Sequence, residues 1–271
     1  MAPRYYFEAN PLAAQIDSGR HVALFVDFDG TLVPIRKDPS EPCLAPATKG
    51  LLESILGSGR SAVTVISGRS LADLRKRCPV RGAYYAGSHG LEILGPGMRF
   101  VHKGTRPATP VIDALRREIS AAIGACEGVV IEKKRFSFAV HYRAASDEVV
   151  SFLRKSLHSK MAAQPDRGRL LTVIRGKKVL EFAPRVSWNK GEAALHIMER
   201  IGDGYLPVCL GDDRTDETLF KALSGKGGIA VRVGPSKKTA AAYYVKDQRE
   251  ALLLLAQIDE ALRRFAKLIP L

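Results

Sequence analysis

Only four cysteines occur in the 271 residues, Cys43, Cys78, Cys126 and Cys209. Far apart and without a Cys-x-x-Cys pair, they argue against a zinc site and a disulfide framework, and for a reducing cytoplasm. A targeting segment is missing too. The opening residues, MAPRYYFEANPLAAQ, lack an apolar signal core, and the longest aliphatic run near the end, Leu252 to Leu255, is far too short to span a bilayer. A cytoplasmic protein with no membrane partner is therefore expected. Internal repeats and low-complexity tracts are absent as well, which excludes a solenoid.

Acidic side chains are under-represented, with 28 Asp and Glu against 42 Lys and Arg, a net charge of +14. Such a surplus suits nucleic acid, an acidic membrane surface or a small anionic substrate. Its distribution is informative. Residues 107–185 hold 15 Lys and Arg against 8 Asp and Glu, a net +7. These basic residues are scattered, without a Lys/Arg block or an aromatic-rich binding motif. A solvated basic surface and an electrostatic guide for a phosphate both account for them. At 271 residues, 46% hydrophobic and 26% charged, the chain has the composition of an ordinary globular protein of one large or two modest domains.

What is present is organised around His21 to Leu32, HVALFVDFDGTL. Val22 to Val26 is an unbroken apolar run of the kind that a strand buried on both faces requires. Asp27-Phe28-Asp29 follows at once, although a carboxylate at the edge of a core costs several kcal/mol, of order, unless something pairs with it. Gly30 and Thr31 turn the chain. Period-two geometry is expected to send Asp27 and Asp29 to the same side of the strand's carboxyl end, where ligands bind in open α/β sheets. An acidic turn after a strand is the plainer account of Asp-Gly alone.

Along the chain, a short helix is expected around Pro11–Ser18, and the prolines of Val33–Pro46 predict a loop over the site. A helix at Thr48–Gly57 precedes the strand Ser61–Ile66, which ends in Ser67-Gly68-Arg69. A hydroxyl there can hydrogen-bond a phosphoryl oxygen, or Ser67 or Ser70 can simply cap the helix Leu71–Arg77. The strand Ala83–Ala86 leads into Gly87-Ser88-His89-Gly90. From about Pro107 the pattern becomes helix (Val111–Ile123), strands (Val129–Glu132, Phe136–Tyr142), helix (Asp147–Met161) and strands (Leu170–Ile174, Lys178–Phe182), a second small domain inserted into the first. Asn189 then opens a helix to Ile201, capped by Asn189 with Glu192. Lys190 opposes that helix's dipole, which a cluster of carboxylates and a phosphate would explain. The buried strand Leu206–Leu210 ends in Asp212-Asp213-Arg214-Thr215-Asp216, more acid than capping needs and suited to a hard cation such as Mg²⁺. Strands Ile229–Val233 and Ala241–Val245 and the helix Glu250–Lys267 complete the core.

Asp27-Phe28-Asp29-Gly30-Thr31-Leu32, Ser67, Lys190 and Asp212-Asp213 with Asp216 stand in an order that resembles the haloacid-dehalogenase-like phosphohydrolases, with a cap inserted between the second and third motifs. Gly87-Ser88-His89-Gly90, Glu132-Lys133-Lys134 with Ser137, His141-Tyr142-Arg143, Gly176-Lys177-Lys178-Val179-Leu180-Glu181 and Trp188-Asn189-Lys190-Gly191 resemble the trehalose-6-phosphate phosphatases. The resemblance implies an α/β fold, a doubly wound Rossmann-like parallel-sheet core (residues 1–106 and 186–271) with an α+β cap (107–185). It implies hydrolysis of trehalose 6-phosphate, a small-molecule partner, with Mg²⁺ as cofactor.

In that reading Asp27 is the nucleophile, Asp29 the general acid and base, and Ser67 and Lys190 bind the transferring group. Asp27, the Asp29 carbonyl and Asp212 hold the metal, with Asp213 and Asp216 behind them. Gly68, Arg69, His89, Glu132, Lys134, Lys177 and Glu181 contact the substrate, and either member of the pairs Lys133/Lys134 and Lys177/Lys178 can be the one that faces it. Asp29 has to carry a proton at neutral pH, which like charge nearby and exclusion of water are expected to allow. A monomer without a nucleic-acid partner is expected. Two alternatives remain: the same chemistry on sucrose 6-phosphate or mannosyl-3-phosphoglycerate, and, more remotely, a basic nucleic-acid-binding protein, which salt-sensitive binding without phosphate release would reveal.

Overall fold

Alternate residues of the strand His21–Asp27 bury against opposite layers of helices: Val22, Leu24 and Val26 enter one apolar cluster, Ala23 and Phe25 another. This is the period-two signature of a strand covered on both faces, and it is why the run reads as continuously apolar. The computed structural model describes residues 2–12, 15, 16, 19–36, 42–176, 178–236 and 238–268.

Numbered along the chain, the elements begin with β1 (Arg4–Tyr5), α1 (Tyr6–Ala9), β2 (His21–Asp27), α2 (Pro46–Gly57), β3 (Ser61–Ile66), α3 (Leu71–Arg77), β4 (Tyr84–Gly87), β5 (Glu92–Gly95) and β6 (Met98–Val101). They continue with α4 (Thr105–Ile123), β7 (Val130–Lys133), β8 (Phe138–His141), α5 (Asp147–Ala162), α6 (Pro165–Leu170), β9 (Leu171–Gly176) and β10 (Val179–Pro184). The last are α7 (Lys190–Ile201), β11 (Tyr205–Gly211), α8 (Asp216–Ser224), β12 (Ile229–Val233), β13 (Tyr243–Val245) and α9 (Gln248–Leu268). The chain divides into two compact units, Met1–Phe100 with Trp188–Leu271, and Val101–Ser187.

In the first unit the sheet order is β1-β13-β12-β11-β2-β3-β4-β5-β6. From β1 through β4 every pairing is parallel, and β5 runs antiparallel to β4. Leu52 and Ile55 of α2, Leu74 of α3 and Leu254, Leu255, Ile258 and Leu262 of α9 cover one face; Ala193, Ala194 and Ile197 of α7 and Leu219, Phe220 and Leu223 of α8 cover the other. This is the doubly wound α/β architecture that the sequence predicts. Because β2, β3, β4 and β11 are parallel, their carboxyl ends share one edge, and the residues that follow them are brought to a common place.

In the second unit an antiparallel sheet, β7-β8-β10-β9, lies against α4 and α5. Phe138, Val140, Leu171 and Phe182 meet Ile112, Leu115, Ile119, Val150, Leu153 and Leu157 in a separate core. Phe138 and Phe182, opposite each other on β8 and β10, stack with ring centroids 4.7 Å apart. No described helix is long and apolar enough to cross a membrane.

The differences from expectation are local. β1 pairs with β13 through two residues, too few for any periodicity to show. The strands β5 and β6 are four residues each and follow a turn without a clean alternation. α6 begins with Pro165, a residue that starts a helix well, but six residues are below the length that a helical pattern needs. The helix expected at Pro11–Ser18 falls partly on positions 13, 14, 17 and 18, outside the described residues.

Removing the ring of Phe138 leaves a cavity between the small sheet and its helices. Phe138→Ala is expected to lower the unfolding free energy by about 3–5 kcal/mol, measured by urea titration of the far-UV circular dichroism. A loss below about 1 kcal/mol would show that the site collapses without penalty.

Candidate active site

Asp27 ends β2 with the parity of Ala23 and Phe25, so its side chain turns toward the layer formed by α7 and α8. There it meets Lys190, the first residue of α7, whose Nζ donates to Asp27 Oδ1 at 2.6 Å and to Asp216 Oδ1 at 2.7 Å. Asp216 opens α8, and its other oxygen accepts the Asp213 N–H at 2.9 Å. Asp27, Lys190 and Asp216 are 4%, 2% and 0% exposed, so this is a buried ion cluster and not a surface one. Asp212, just past β11, completes it: carboxylate oxygens of Asp27, Asp212 and Asp216 lie within 4.8 Å of one another. Asn189 caps α7 by accepting the N–H groups of Gly191 and Glu192, which fixes where the helix begins and therefore where Lys190 stands.

Gly30 is required twice over. Its φ is +94°, and a Cβ there would lie 2.4 Å from Asp212 Oδ2. The turn it forms, with Leu32 and Val33 N–H bonded to Phe28 O, ends the strand at Asp27. Both oxygens of Asp29 accept from Arg69, Oδ2 from Nε and Oδ1 from Nη2, each at 2.7 Å. Arg69 also pairs with Asp73 at 2.8 Å, and Asp73 with Arg77 at 2.7 Å. The nearest charge that holds Asp29 is thus opposite, not the like charge expected from the sequence.

The loops after β3 and β4 are knitted together. Ser67 N–H donates to Ala86 O, His89 N–H to Ser67 O at 3.0 Å, and Ser88 N–H to Arg69 O at 2.6 Å. Ser67 Oγ accepts from Arg69 N–H at 3.1 Å, leaving its own proton for a phosphoryl oxygen. A Cβ on Gly68 would lie 2.8 Å from the His89 ring, so only glycine lets the imidazole lie over the Ser67–Gly68 turn. His89 itself has φ +58°, a conformation that costs a non-glycine residue of order 1 kcal/mol.

In the second unit, Glu132, Lys134 and Glu181 are brought onto the sheet face that points away from α4 and α5. Lys134 Nζ pairs with Glu181 at 3.0 Å, while the neighbouring Lys133 is largely exposed, 4.0 Å from Asp113. Of the two adjacent lysines, Lys134 is the one that shares a face with the carboxylates. His141 Nε2 lies 2.8 Å from Glu132. Burial alone would raise Glu132, but that hydrogen bond and the charge of Lys134 outweigh it and hold the carboxyl below its ordinary value. Lys177 lies outside the described residues; Lys178 has φ +64° in the turn between β9 and β10.

One contributor escapes sequence reading, and a second enters it only as part of a motif. Arg232, in the middle of β12, donates to Asp212 O at 2.6 Å and pairs with Glu217 at 3.0 Å, fixing the loop after β11. A cation in an otherwise apolar strand is the only signal. Trp188 donates from Nε1 to Gly90 O at 2.8 Å and stacks on Phe100, tying the start of α7 to the His89 turn.

The acidic group fits a divalent cation. Burial, the largest influence, pushes the Asp27 carboxyl well above the ordinary carboxylate range, and Asp216 and Asp212 add to the shift against Lys190. Burial works the other way on Lys190, yet Asp216 and Asp27 raise it and keep it charged. One ammonium among three carboxylates leaves an excess of negative charge on hard oxygen donors, the chemistry that Mg²⁺ satisfies. Both oxygens of Asp216 are already engaged, so it suits a place behind the ligands.

Comparison with known proteins places this geometry in a class. The fold is shared with the C-terminal domain of Candida albicans trehalose-6-phosphate phosphatase, at a TM-score of 0.79 and 23% identity over 96% of this chain and 98% of that one. Residues 25–249 match the family described as Trehalose-phosphatase. The chain is 31% identical to the Arabidopsis thaliana protein named "Probable trehalose-phosphate phosphatase D" over 264 residues, 91% of this chain and 69% of that protein. It is 41% identical over 215 residues to the trehalose-phosphate phosphatase of Mycobacterium avium, 77% of this chain but only 53% of the relative's length. The chain belongs to the trehalose-phosphatase family.

In metal-free protein, Asp27 keeps its proton to higher pH when folded than when unfolded, where the ordinary value of 3.8 applies. Between these limits the folded state binds more protons, so stability falls as pH rises through the window. In EDTA the Tm is expected to drop as the pH rises above the unfolded value of 3.8, and Asp27→Asn to flatten the drop. Identical slopes in the two proteins would mean that Asp27 is not the raised group.

Proposed function

We propose that this chain hydrolyses trehalose 6-phosphate to trehalose and inorganic phosphate, with Asp27 as the nucleophile. The observation that carries the reading is the buried group of Asp27, Lys190, Asp212 and Asp216 at the carboxyl edge of the parallel sheet, in a member of the trehalose-phosphatase family.

Mg²⁺ is the cation that suits the site; Asp27, Asp212 and the Asp29 carbonyl would hold it, with Asp213 and Asp216 supporting them. When bound, it supplies positive charge to the phosphoryl oxygens and neutralises the carboxylates.

In the first step an oxygen of Asp27 bonds to phosphorus as the bond from phosphorus to the sugar oxygen breaks, giving an aspartyl-phosphate. Lys190, already bonded to Asp27, offsets charge on the transferring group, and Ser67 donates a hydrogen bond to it. The leaving sugar oxygen takes a proton from Asp29. In the second step Asp29, now a carboxylate, takes a proton from water as its oxygen attacks phosphorus and the bond to Asp27 breaks. Both oxygens of Asp29 accept from Arg69 in the structure described. Arg69 must therefore loosen that grip before Asp29 exchanges a proton, and an arriving phosphate is a competing partner for the same guanidinium. Glu132, Lys134 and Glu181 supply acceptors and a donor for sugar hydroxyls.

Phosphate release should be strong from trehalose 6-phosphate, weak from glucose 6-phosphate and sucrose 6-phosphate, and abolished by EDTA. Equal release from all three esters would keep the phosphatase and discard the disaccharide preference. Asp29→Asn is expected to lower kcat by about 10²–10⁴-fold. Retained turnover in Asp27→Asn, with deamidation excluded by mass spectrometry, would sink the nucleophile assignment.

A further inference from the structure

Ala139, on β8, lies in register with Glu132 on β7 at one side and Glu181 on β10 at the other. Two strand spacings separate the backbones of the two glutamates, roughly 9–10 Å, with a methyl group between them. The residues two before and two after Ala139 point to the same face. Ser137 Oγ donates to Glu181 Oε1 at 2.7 Å, and His141 Nε2 lies 2.8 Å from Glu132 Oε2. One strand therefore grips a carboxylate on each neighbour, and between the two grips it presents the smallest side chain that keeps a Cβ.

The grips are not equivalent. Glu181 is also paired with Lys134 at 3.0 Å, and its side chain is 10% exposed. Glu132 is more open, at 31%, and His141 at 26%. A flexible glutamate on an open strand face samples several rotamers, so a partner that selects one of them lowers the entropy lost when a ligand hydroxyl is bound. An imidazole with Nε2 protonated gives one directed donor and leaves the second carboxylate oxygen as an acceptor for a ligand. Glu181 is fixed at both oxygens, Oε1 by Ser137 and Oε2 by Lys134.

We propose that Ser137 and His141 are positioning residues for sugar recognition, holding Glu181 and Glu132 in place on either side of Ala139. This rests on the trehalose 6-phosphate reading above and adds two residues to it that act through others. The effect belongs to binding of the sugar and not to the phosphoryl chemistry, whose residues lie in the other unit.

The test is steady-state kinetics of Ser137→Ala, His141→Ala and His141→Gln on trehalose 6-phosphate and on p-nitrophenyl phosphate, which has no sugar. Each alanine variant is expected to raise KM for trehalose 6-phosphate roughly tenfold, as losing one hydrogen bond to a charged group does, with kcat and all p-nitrophenyl phosphate kinetics unchanged. His141→Gln, whose amide N–H can replace Nε2, should recover part of the loss. Unchanged KM in both alanine variants overturns the proposal, as does an equal loss on both substrates, which would mark a merely structural role. If the wild-type protein itself does not prefer trehalose 6-phosphate over p-nitrophenyl phosphate, the functional reading falls and this inference with it. A wild-type preference with unaffected variants overturns this inference alone.

Discussion

One ammonium buried among carboxylates is the constraint on which the first unit depends. Lys190 is 2% exposed and bonds to Asp27 and Asp216, both buried. Charges taken out of water persist only where geometry is close and further hydrogen bonds satisfy what remains. Much of the surrounding sequence reads as a response to that demand. Asn189 sets the first residue of α7, Gly30 lets the turn after β2 approach Asp212, and Arg232 anchors the loop that carries it. The parallel sheet supplies the common edge.

The second charged system, around Asp29, has a different character. Arg69 joins Asp29 to Asp73, and Asp73 to Arg77, in a partly exposed chain of ion pairs reaching back along α3. Arg69 itself is buried, at 8% exposed, while the carboxylates that it joins keep partial access to water. Asp27 is thus held inside the fold by a buried ammonium, and Asp29 at the end of a chain of ion pairs by one guanidinium. The separation of Asp27 from Asp29 by a single turn makes both possible within three residues.

The second unit solves a different problem with the same materials. Its sheet has an apolar face, built from Phe138, Val140 and Phe182 against α4 and α5, and a polar face built from the residues between them. Alternation on a strand delivers this division automatically. Because β8 is central, its polar-face residues reach both neighbours, which an edge strand's could not.

Long-range consequences of short-range patterns were legible in the chain. Apolar runs of five residues mark β2 (Val22–Val26) and β11 (Leu206–Leu210), and shorter ones mark β3 and β12, which Thr64 and Arg232 interrupt, because burial on two faces leaves few polar positions. The acids, hydroxyl and glycines that follow them stand at strand ends because each strand must end there. The inserted α and β segment between Ser67 and Lys190 was visible for the same reason, as was Asn189 as a cap. The short elements β1, α1, β5, β6 and α6 were not legible, since a pattern needs more than one period to declare itself.

Sequence alone determined which residues stand at the carboxyl edge, because local periodicity and turn residues decide where each strand stops. Only the tertiary structure decided how those residues are partnered. That Asp216 and not Asp29 shares Lys190 with Asp27, that Arg69 holds Asp29, and that Lys134 and not Lys133 meets Glu181 are contacts across 26 to 163 positions of the chain. Such contacts depend on the register of one strand against another and on the point where each helix begins, and no spacing within a single segment encodes them.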